Sequence, residues 1–321
     1  MSKARGLADL GNVYDDGALS NRNMVTNGSM IVAQRGISFT GTNAYTLDRW
    51  FVDNTVDGGG QVADAPDDFE YSLKINPSSG NATLRQAIEL PAAGKGGLFR
   101  SGQTFTLSFW LKSDNAGENI NIFIASASGV TGTTTTYVDD ASTGLTTSTS
   151  WTKYTYTYTQ SSNVGGSDTC YNIVPYVSSP SGAIYITGVQ LEVGDTATPF
   201  EHPRSYSDEL ARCQRYCVVY ENGTALAGNA ANTTDFQSRF QYPVVMRAKP
   251  SASKVSGTDY RISDDYFSDH IAATLGIGSI ATSDLGCRLA LTGFSGLTAG
   301  RTYAGVYSTA QDAKIMFDAE L

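Results

Sequence analysis

The sequence predicts an all-β chain made of an N-terminal β-sandwich, one short connecting helix and a smaller C-terminal β-sandwich domain. Two patterns and the length carry this. Apolar residues recur at period two, with Phe105, Leu107, Phe109 and Leu111 alternating with Thr106, Ser108 and Trp110, and Ile120, Ile122 and Ile124 alternating with Asn121 and Phe123. One face of each strand is therefore expected to be core. Turn-forming pieces such as Pro77-Ser-Ser-Gly, Ser113-Asp-Asn-Ala-Gly and Ser178-Ser-Pro-Ser-Gly punctuate these runs, as in antiparallel sandwiches. With 321 residues, the chain is long enough for two domains, each with its own core.

Taken in order, residues 1–22 hold glycines, the Asp15-Asp16 pair and little apolar periodicity, which predicts an arm ordered by a partner. The arm is a candidate attachment segment, with Leu7, Leu10, Val13 and Tyr14 as its apolar contacts. Residues 23–204 form the first domain, with further strands predicted at Ala82–Leu90, Trp151–Thr159, Cys170–Val177 and Ile184–Val193. Small polar residues at 126–136 and 163–166 predict exposed loops.

A helix is predicted from Tyr206 to about Tyr216, within a connector at 205–217. Ser205 with Asp208 forms a capping-box pattern, and Pro203 cannot extend the helix backwards. Leu210, Cys213 and Cys217 then fall on one face and predict a packing seam. Residues 218–321 form the second domain, with strands at Val218–Tyr220, Phe236–Val245, Lys254–Ile262, Cys287–Leu291, Thr302–Tyr307 and Lys314–Phe317.

The net charge of −9 with 22 Lys+Arg leaves too little cationic surface for a nucleic-acid partner. No run approaches the ~20 apolar residues of a membrane span, and no apolar stretch follows the basic N-terminus, so neither membrane insertion nor a secretion signal is expected. Cys170, Cys213, Cys217 and Cys287 are irregularly spaced and read as reduced packing residues.

Catalytic motifs are weak. Gly293-Phe-Ser-Gly-Leu lacks the closing glycine of a nucleophile elbow, and His202 and His270 form no metal pair. Gly276-Ile-Gly-Ser-Ile-Ala matches a relaxed dinucleotide fingerprint without a βαβ setting and reads as a flexible glycine turn. Acidic pairs at Asp67-Asp68, Asp139-Asp140 and Asp264-Asp265 read as solvated loop residues. Calcium coordination is the next reading of these pairs, and the 31 Asp+Glu of the chain leave polysaccharide cleavage open, because glycosidases carry no short local motif. No cofactor is expected beyond a structural Ca²⁺ near Asn27 or Glu192.

Aromatic residues carry the stronger signal, because the C–H faces of sugars stack on rings while their hydroxyls need polar partners. In Thr152-Lys-Tyr-Thr-Tyr-Thr-Tyr158, the tyrosines share one face, and period two leaves either face outward, so Tyr154 and Tyr156 are candidates for ligand contact as well as for core. Trp50, Trp110 and Trp151 read as core, with Trp110, opposite the apolar face of its strand, as the exception. In the second domain Tyr260, Asp264, Asp265, Tyr266 and His270 crowd a predicted hairpin tip, which reads equally as a recognition loop or a plain turn.

Several strings together resemble bacteriophage tail-fibre and tail-associated receptor-binding proteins, particularly those of short-tailed phages of aquatic bacteria. They are Leu7–Asn23, Asn27–Gly36, Tyr45–Trp50, Val189–Gly194 with Pro199-Phe-Glu, Glu209–Tyr216 and Tyr242–Pro250. Two departures stand out: Ser205-Tyr-Ser precedes the acidic pair where relatives often carry Gly, and Arg215-Tyr-Cys stands where a second aromatic is usual. The resemblance implies a jelly roll similar to carbohydrate-binding modules, a distal, receptor-facing β domain, a homotrimer and a place in the virion, on tail or capsid. It also implies contacts with other virion proteins and with a host cell-surface glycan, and no enzymatic activity. A structural or adaptor component, a polysaccharide depolymerase and a free bacterial lectin, which would need a secretion route, are the alternatives.

Overall fold

The computed structural model of the protein describes residues 22–90, 97–165, 167–221, 227–256, 260–264, 268–272, 275–308 and 313–321. The predicted attachment residues Leu7, Leu10, Val13 and Tyr14, and the hairpin-tip residues Asp265 and Tyr266, lie outside the described residues. The fold is all-β with one helix among the described residues, and the chain divides into two compact units. Val32–Gly36 and Tyr206–Glu320 make up the second; most of the rest, including Leu321, makes up the first.

The first unit contains β1 (Ser38–Tyr45), β2 (Phe51–Val62), β3 (Ser72–Pro77), β4 (Ala82–Glu89), β5 (Thr104–Ser113), β6 (Asn119–Ala127), β7 (Thr135–Thr146), β8 (Thr152–Thr159), β9 (Cys170–Val177) and β10 (Ile184–Val193). They form one antiparallel sheet in the order β7-β6-β9-β4-β2-β3-β10-β5-β8, with β1 also on β2. The sheet becomes a sandwich because β2 serves two layers: Phe51–Asp53 pairs with β4, and Val56–Val62 pairs with β3. Period-two reading misses β2 because Gly58-Gly-Gly60 interrupts it, and those glycines are what let β1 come close. A Cβ on Gly60 would lie 2.1 Å from the Ile37 carbonyl oxygen.

Between the layers, Phe105 stacks on Tyr158 (5.6 Å between centroids) and Phe109 on Tyr154 (5.8 Å), while Tyr171 of β9 meets Phe99 at 4.3 Å. The opposite face of β5 and β10 is not solvent, contrary to the simple core-and-water alternation. Thr106, Ser108, Gln190 and Glu192 are all buried there. The chain after β10 folds back over them, with Thr198 N donating to Glu192 Oε1 (2.8 Å) and Glu201 N to Gln190 Oε1 (2.8 Å). A buried polar layer of this kind is stable because its members find partners.

The strings Asn27–Gly36, Tyr45–Trp50 and Val189–Gly194 meet in one knot. Trp50 Nε1 donates to Asn27 O (2.8 Å), Asn27 Nδ2 to Asp48 O (3.0 Å), and Asn23 Nδ2 to Val189 O (3.2 Å). Gln86 and Thr26 exchange two hydrogen bonds of 2.8 Å.

The second unit contains α1 (Tyr206–Gln214), β11 (Cys217–Tyr220), β12 (Gly228–Ala230), β13 (Asp235–Gln241), β14 (Ser251–Ser256), β15 (Tyr260–Ser263), β16 (Asp269–Ala272), β17 (Gly276–Thr282), β18 (Gly286–Thr292), β19 (Thr302–Tyr307) and β20 (Lys314–Asp318). A three-stranded sheet, β11-β20-β14, faces a seven-stranded one, β16-β15-β19-β12-β13-β18-β17, with Phe317 of the first stacked on Phe240 of the second at 5.2 Å. The free edge of β11 is met by a side chain, since Gln34 Nε2 donates to Cys217 O (2.8 Å) and Val219 N donates to Gln34 Oε1 (3.4 Å).

Several sequence expectations need correction. Asp139 and Asp140, read as loop residues, lie within β7. Lys254–Ile262 is two strands in different sheets, β14 and β15. Gly276–Ala281 is strand β17, because ladder bonds to β18 hold it extended despite its glycines. Ser126 is a buried residue of β6, and Thr135 and Thr136 open β7, so the predicted loop is shorter at both ends. The helix ends at Gln214 and Cys217 belongs to β11, so the buried face of α1 carries Glu209 and Cys213. Lastly, the strand predicted to reach Val245 stops at Gln241, two residues before Pro243. The four cysteines are buried thiols outside any disulfide, and no helix among the described residues is long and apolar enough to cross a membrane.

Candidate functional site

The outer face of the layer β7-β6-β9-β4-β2 holds an open cleft of about 290 Å³, lined by Asp53, Asn81, Thr83, Arg85, Phe123, Thr133, Val174 and Tyr176. Strand alternation puts these side chains on one surface. On β4, Ala82 and Leu84 fill the core, so Thr83 and Arg85 face out; on β6, Ile122 and Ile124 face in, so Phe123 faces out. Register then aligns them across the sheet: Asp53 pairs with Thr83, Thr83 with Tyr176, and Phe123 with Val174.

Arg85 clasps Asp53 through Nη2 (2.7 Å) and Nε (2.8 Å) to the same Oδ2, and its Nη1 reaches toward Val130 O (3.5 Å). Both side chains keep some exposure, 17% and 22%, so each can still meet a ligand. Burial, with the Asp139 carboxylate as a second cause, pushes the Tyr176 phenol up and keeps it a neutral donor at ordinary pH. The cleft thus combines a phenol, an apolar floor of Phe123 and Val174, donors at Arg85 and Asn81, and an acceptor at Asp53. It lies at the small end of ligand clefts, which run to roughly 300–1,000 Å³.

The residues singled out from the sequence are dispersed. Tyr154 is buried beside Phe109, with its hydroxyl donating to Thr146 O (2.8 Å), and Tyr156 is half-buried on the same side of β8. Trp50 is fully buried, whereas Trp110 is half-buried on the outer face of β5. Trp151, read as core, instead sits half-buried with Nε1 donating to Asp64 Oδ1 (3.1 Å).

In the second unit Tyr260 is buried, its hydroxyl donating to Lys314 O (2.8 Å). Asp264 and His270 do come together, with His270 Nε2 3.9 Å and Arg301 Nη1 3.4 Å from Asp264 Oδ2. Ser268 N donates to Asp264 Oδ1 (3.0 Å), which closes the base of the β15–β16 hairpin. Asp264 is therefore a 7%-exposed structural carboxylate rather than a solvated loop residue.

Of the positions considered for calcium, Asn27 accepts through its backbone carbonyl from Trp50 Nε1 (2.8 Å) and donates through Nδ2 to Asp48 O (3.0 Å), while Glu192 accepts from Thr198 N (2.8 Å) and Thr198 Oγ1 (2.7 Å). Among the described residues, no three His, Cys, Asp or Glu side chains converge as a metal site. Sequence reasoning missed Asp53, Asn81, Thr83, Arg85 and Tyr176. Phe123, a ring in a polar slot between two isoleucines, was the available signal.

No family model matches the chain, and no curated protein sequence matches it. Solved structures similar to it include the enzymatically active domain of tailspike protein 4 from bacteriophage CBA120, at 20% identity over 54% of this chain and 22% of that chain, with a TM-score of 0.34. A putative sugar binding protein from Bacteroides thetaiotaomicron is similar at 16% identity over 54% of this chain and 100% of that one, with a TM-score of 0.35. The CBM22-1 xylan-binding domain of Paenibacillus barcinonensis Xyn10C is similar at 12% identity over 50% of this chain and 95% of that one, with a TM-score of 0.30.

Proposed function

We propose that the chain is a tail-fibre-type virion protein that docks through its N-terminal arm and binds a host surface polysaccharide at the Asp53–Arg85–Tyr176 cleft. The observation that carries the binding step is the pairing of Arg85 with Asp53 beside a phenol on an open sheet face. The ion pair holds both side chains in place before ligand arrives, which limits the rotamer entropy lost on binding. Sugar hydroxyls donate to Asp53 and accept from Arg85 and Asn81, while the Tyr176 and Phe123 rings take an apolar sugar face.

We take the cleft to bind rather than cleave because Asp53 is held by Arg85 as a positioned acceptor; Asp139, which acts on Tyr176 from β7, is the second carboxylate that a cleavage mechanism would need, and reducing-end release tests it. The reaction class is binding, and no cofactor is needed. A homotrimer displayed in many copies multiplies a weak site, since linked sites can raise avidity by about 10² to 10⁴.

The test is titration of the full-length protein with host envelope polysaccharide, with reducing-end release followed in the same tube. Saturable binding without release is expected. Release would make the protein a depolymerase, and no signal would make it an adaptor. Deleting residues 1–22 is expected to abolish virion incorporation while leaving thermal unfolding unchanged; incorporation of the truncated chain would remove the docking role.

A further inference from the structure

The outer face of the other layer carries a second constellation. Tyr185 on β10 stands opposite Lys74 of β3 on one side and Lys112 of β5 on the other. Lys74 Nζ lies 5.4 Å and Lys112 Nζ 4.5 Å from the Tyr185 ring centroid, and Lys112 also lies 5.6 Å from the Trp151 ring. Trp110 extends the row along β5, two residues before Lys112 on the same face. Asp64 is the carboxylate in contact, ion-paired with Lys112 and bonded to Trp151.

Cation–π contact accounts for each lysine beside the ring, and the two together leave one positive charge in excess over Asp64. Asp64 is ion-paired with Lys112, and Lys74 acts on it as well, more weakly, so two cations share one carboxylate. An anionic sugar bound beside Lys74 balances that second charge, and Trp110 offers the ring surface a pyranose needs.

We infer that Lys74, Lys112, Tyr185, Trp151 and Trp110 form a second saccharide site, specific for chains bearing uronate carboxylates. The site lies on a different sheet face from the Asp53–Arg85 cleft and does not depend on it. It makes the first unit two-sided, with charge selection on one face.

Polygalacturonate and its fully methyl-esterified form present the same ring with and without charge, so they are the probes. Full-length protein at low salt is expected to bind polygalacturonate and to bind the ester at least about tenfold more weakly, the difference shrinking as salt is added. Lys74→Gln is expected to cost about tenfold for polygalacturonate, while Lys254→Gln, at an exposed lysine beside the Tyr260 ring in the second unit, leaves that affinity unchanged. Equal binding of the ester, full affinity in Lys74→Gln, or no binding of polygalacturonate overturns the inference. Loss in Arg85→Ala with none in Lys74→Gln assigns the anion to the cleft instead. Failure of the cleft itself is read separately, as host-polysaccharide binding that is indifferent to Arg85→Ala.

Discussion

Arg85 on β4 holds Asp53 on β2 through two nitrogens on one carboxylate oxygen, at 2.7 and 2.8 Å, at the point where β2 passes from one layer of the sandwich to the other. The pair therefore sits where the sheet bends, and its geometry comes from the register of strands distant in sequence.

Replacing Arg85 by alanine is expected to weaken polysaccharide binding by roughly ten- to a hundredfold, the value of about 1.5–3 kcal/mol for a charge-assisted hydrogen bond. Stability should change by less than about 1 kcal/mol, since both partners keep solvent contact. Calorimetric titration and thermal unfolding of the same sample separate the two effects. A large drop in unfolding temperature would recast the pair as structural.

Tyr176→Phe and Tyr176→Ala dissect the phenol from the ring. If the ring stacks on a sugar face, Phe should retain most of the affinity and Ala should lose about 1 kcal/mol or more. Equal loss in both variants would assign the contact to the hydroxyl.

Trp50→Phe is expected to destabilise the first unit by about 2–3 kcal/mol, because it leaves a cavity and removes the indole donor to Asn27 O. Urea unfolding followed by circular dichroism measures this. An unchanged midpoint would mean that the knot around Asn27 is not rigid.

Gly188 has φ +60°, and a Cβ there would meet Phe69 Cζ at 2.6 Å and Trp110 Cδ1 at 2.9 Å. Gly188→Ala should cost about 1–3 kcal/mol through strain and displaced rings. It should also shift Trp fluorescence by moving Trp110, and an unperturbed spectrum would place Trp110 elsewhere.

Alkaline pH should unfold the protein. Burial raises the phenols of Tyr158 and Tyr171 well above the ordinary value of 10.0 and pushes Tyr220 up to about 12, with the neighbouring Cys287 a lesser cause. The unfolded chain releases these protons near 10 while the folded one retains them. Their contribution is therefore intact below pH 10 and is lost as pH rises toward the folded values. Absorbance at 295 nm should show late, cooperative ionisation coincident with loss of ellipticity. Smooth titration of every tyrosine near 10 would contradict their burial.

How much was legible depends on whether one strand's own pattern carries the signal. Phe105 to Leu111, Cys170–Val177 and Ile184–Val193 could be read because each has a strong apolar face or a continuous buried run. The strands β2 and β17 could not, because glycines dilute their pattern and ladder bonds to neighbours hold them extended. Glu209 escaped because its burial is offset by Arg212, one turn away at 3.2 Å.

By itself, then, the sequence determined the β class, the helix start at Tyr206, the placement of reduced cysteines in packed positions and the acidic balance, all of which depend on local pattern or composition. Tertiary structure decided which face of each strand meets a ligand. Alternation divides side chains into two sets but does not say which set meets the opposite layer, so Tyr154 went inward while Arg85, Phe123 and Tyr185 went outward. It also decided that Asp53 and Arg85, 32 residues apart, would be neighbours, because strand pairing between β2 and β4 is a long-range choice made by the whole core.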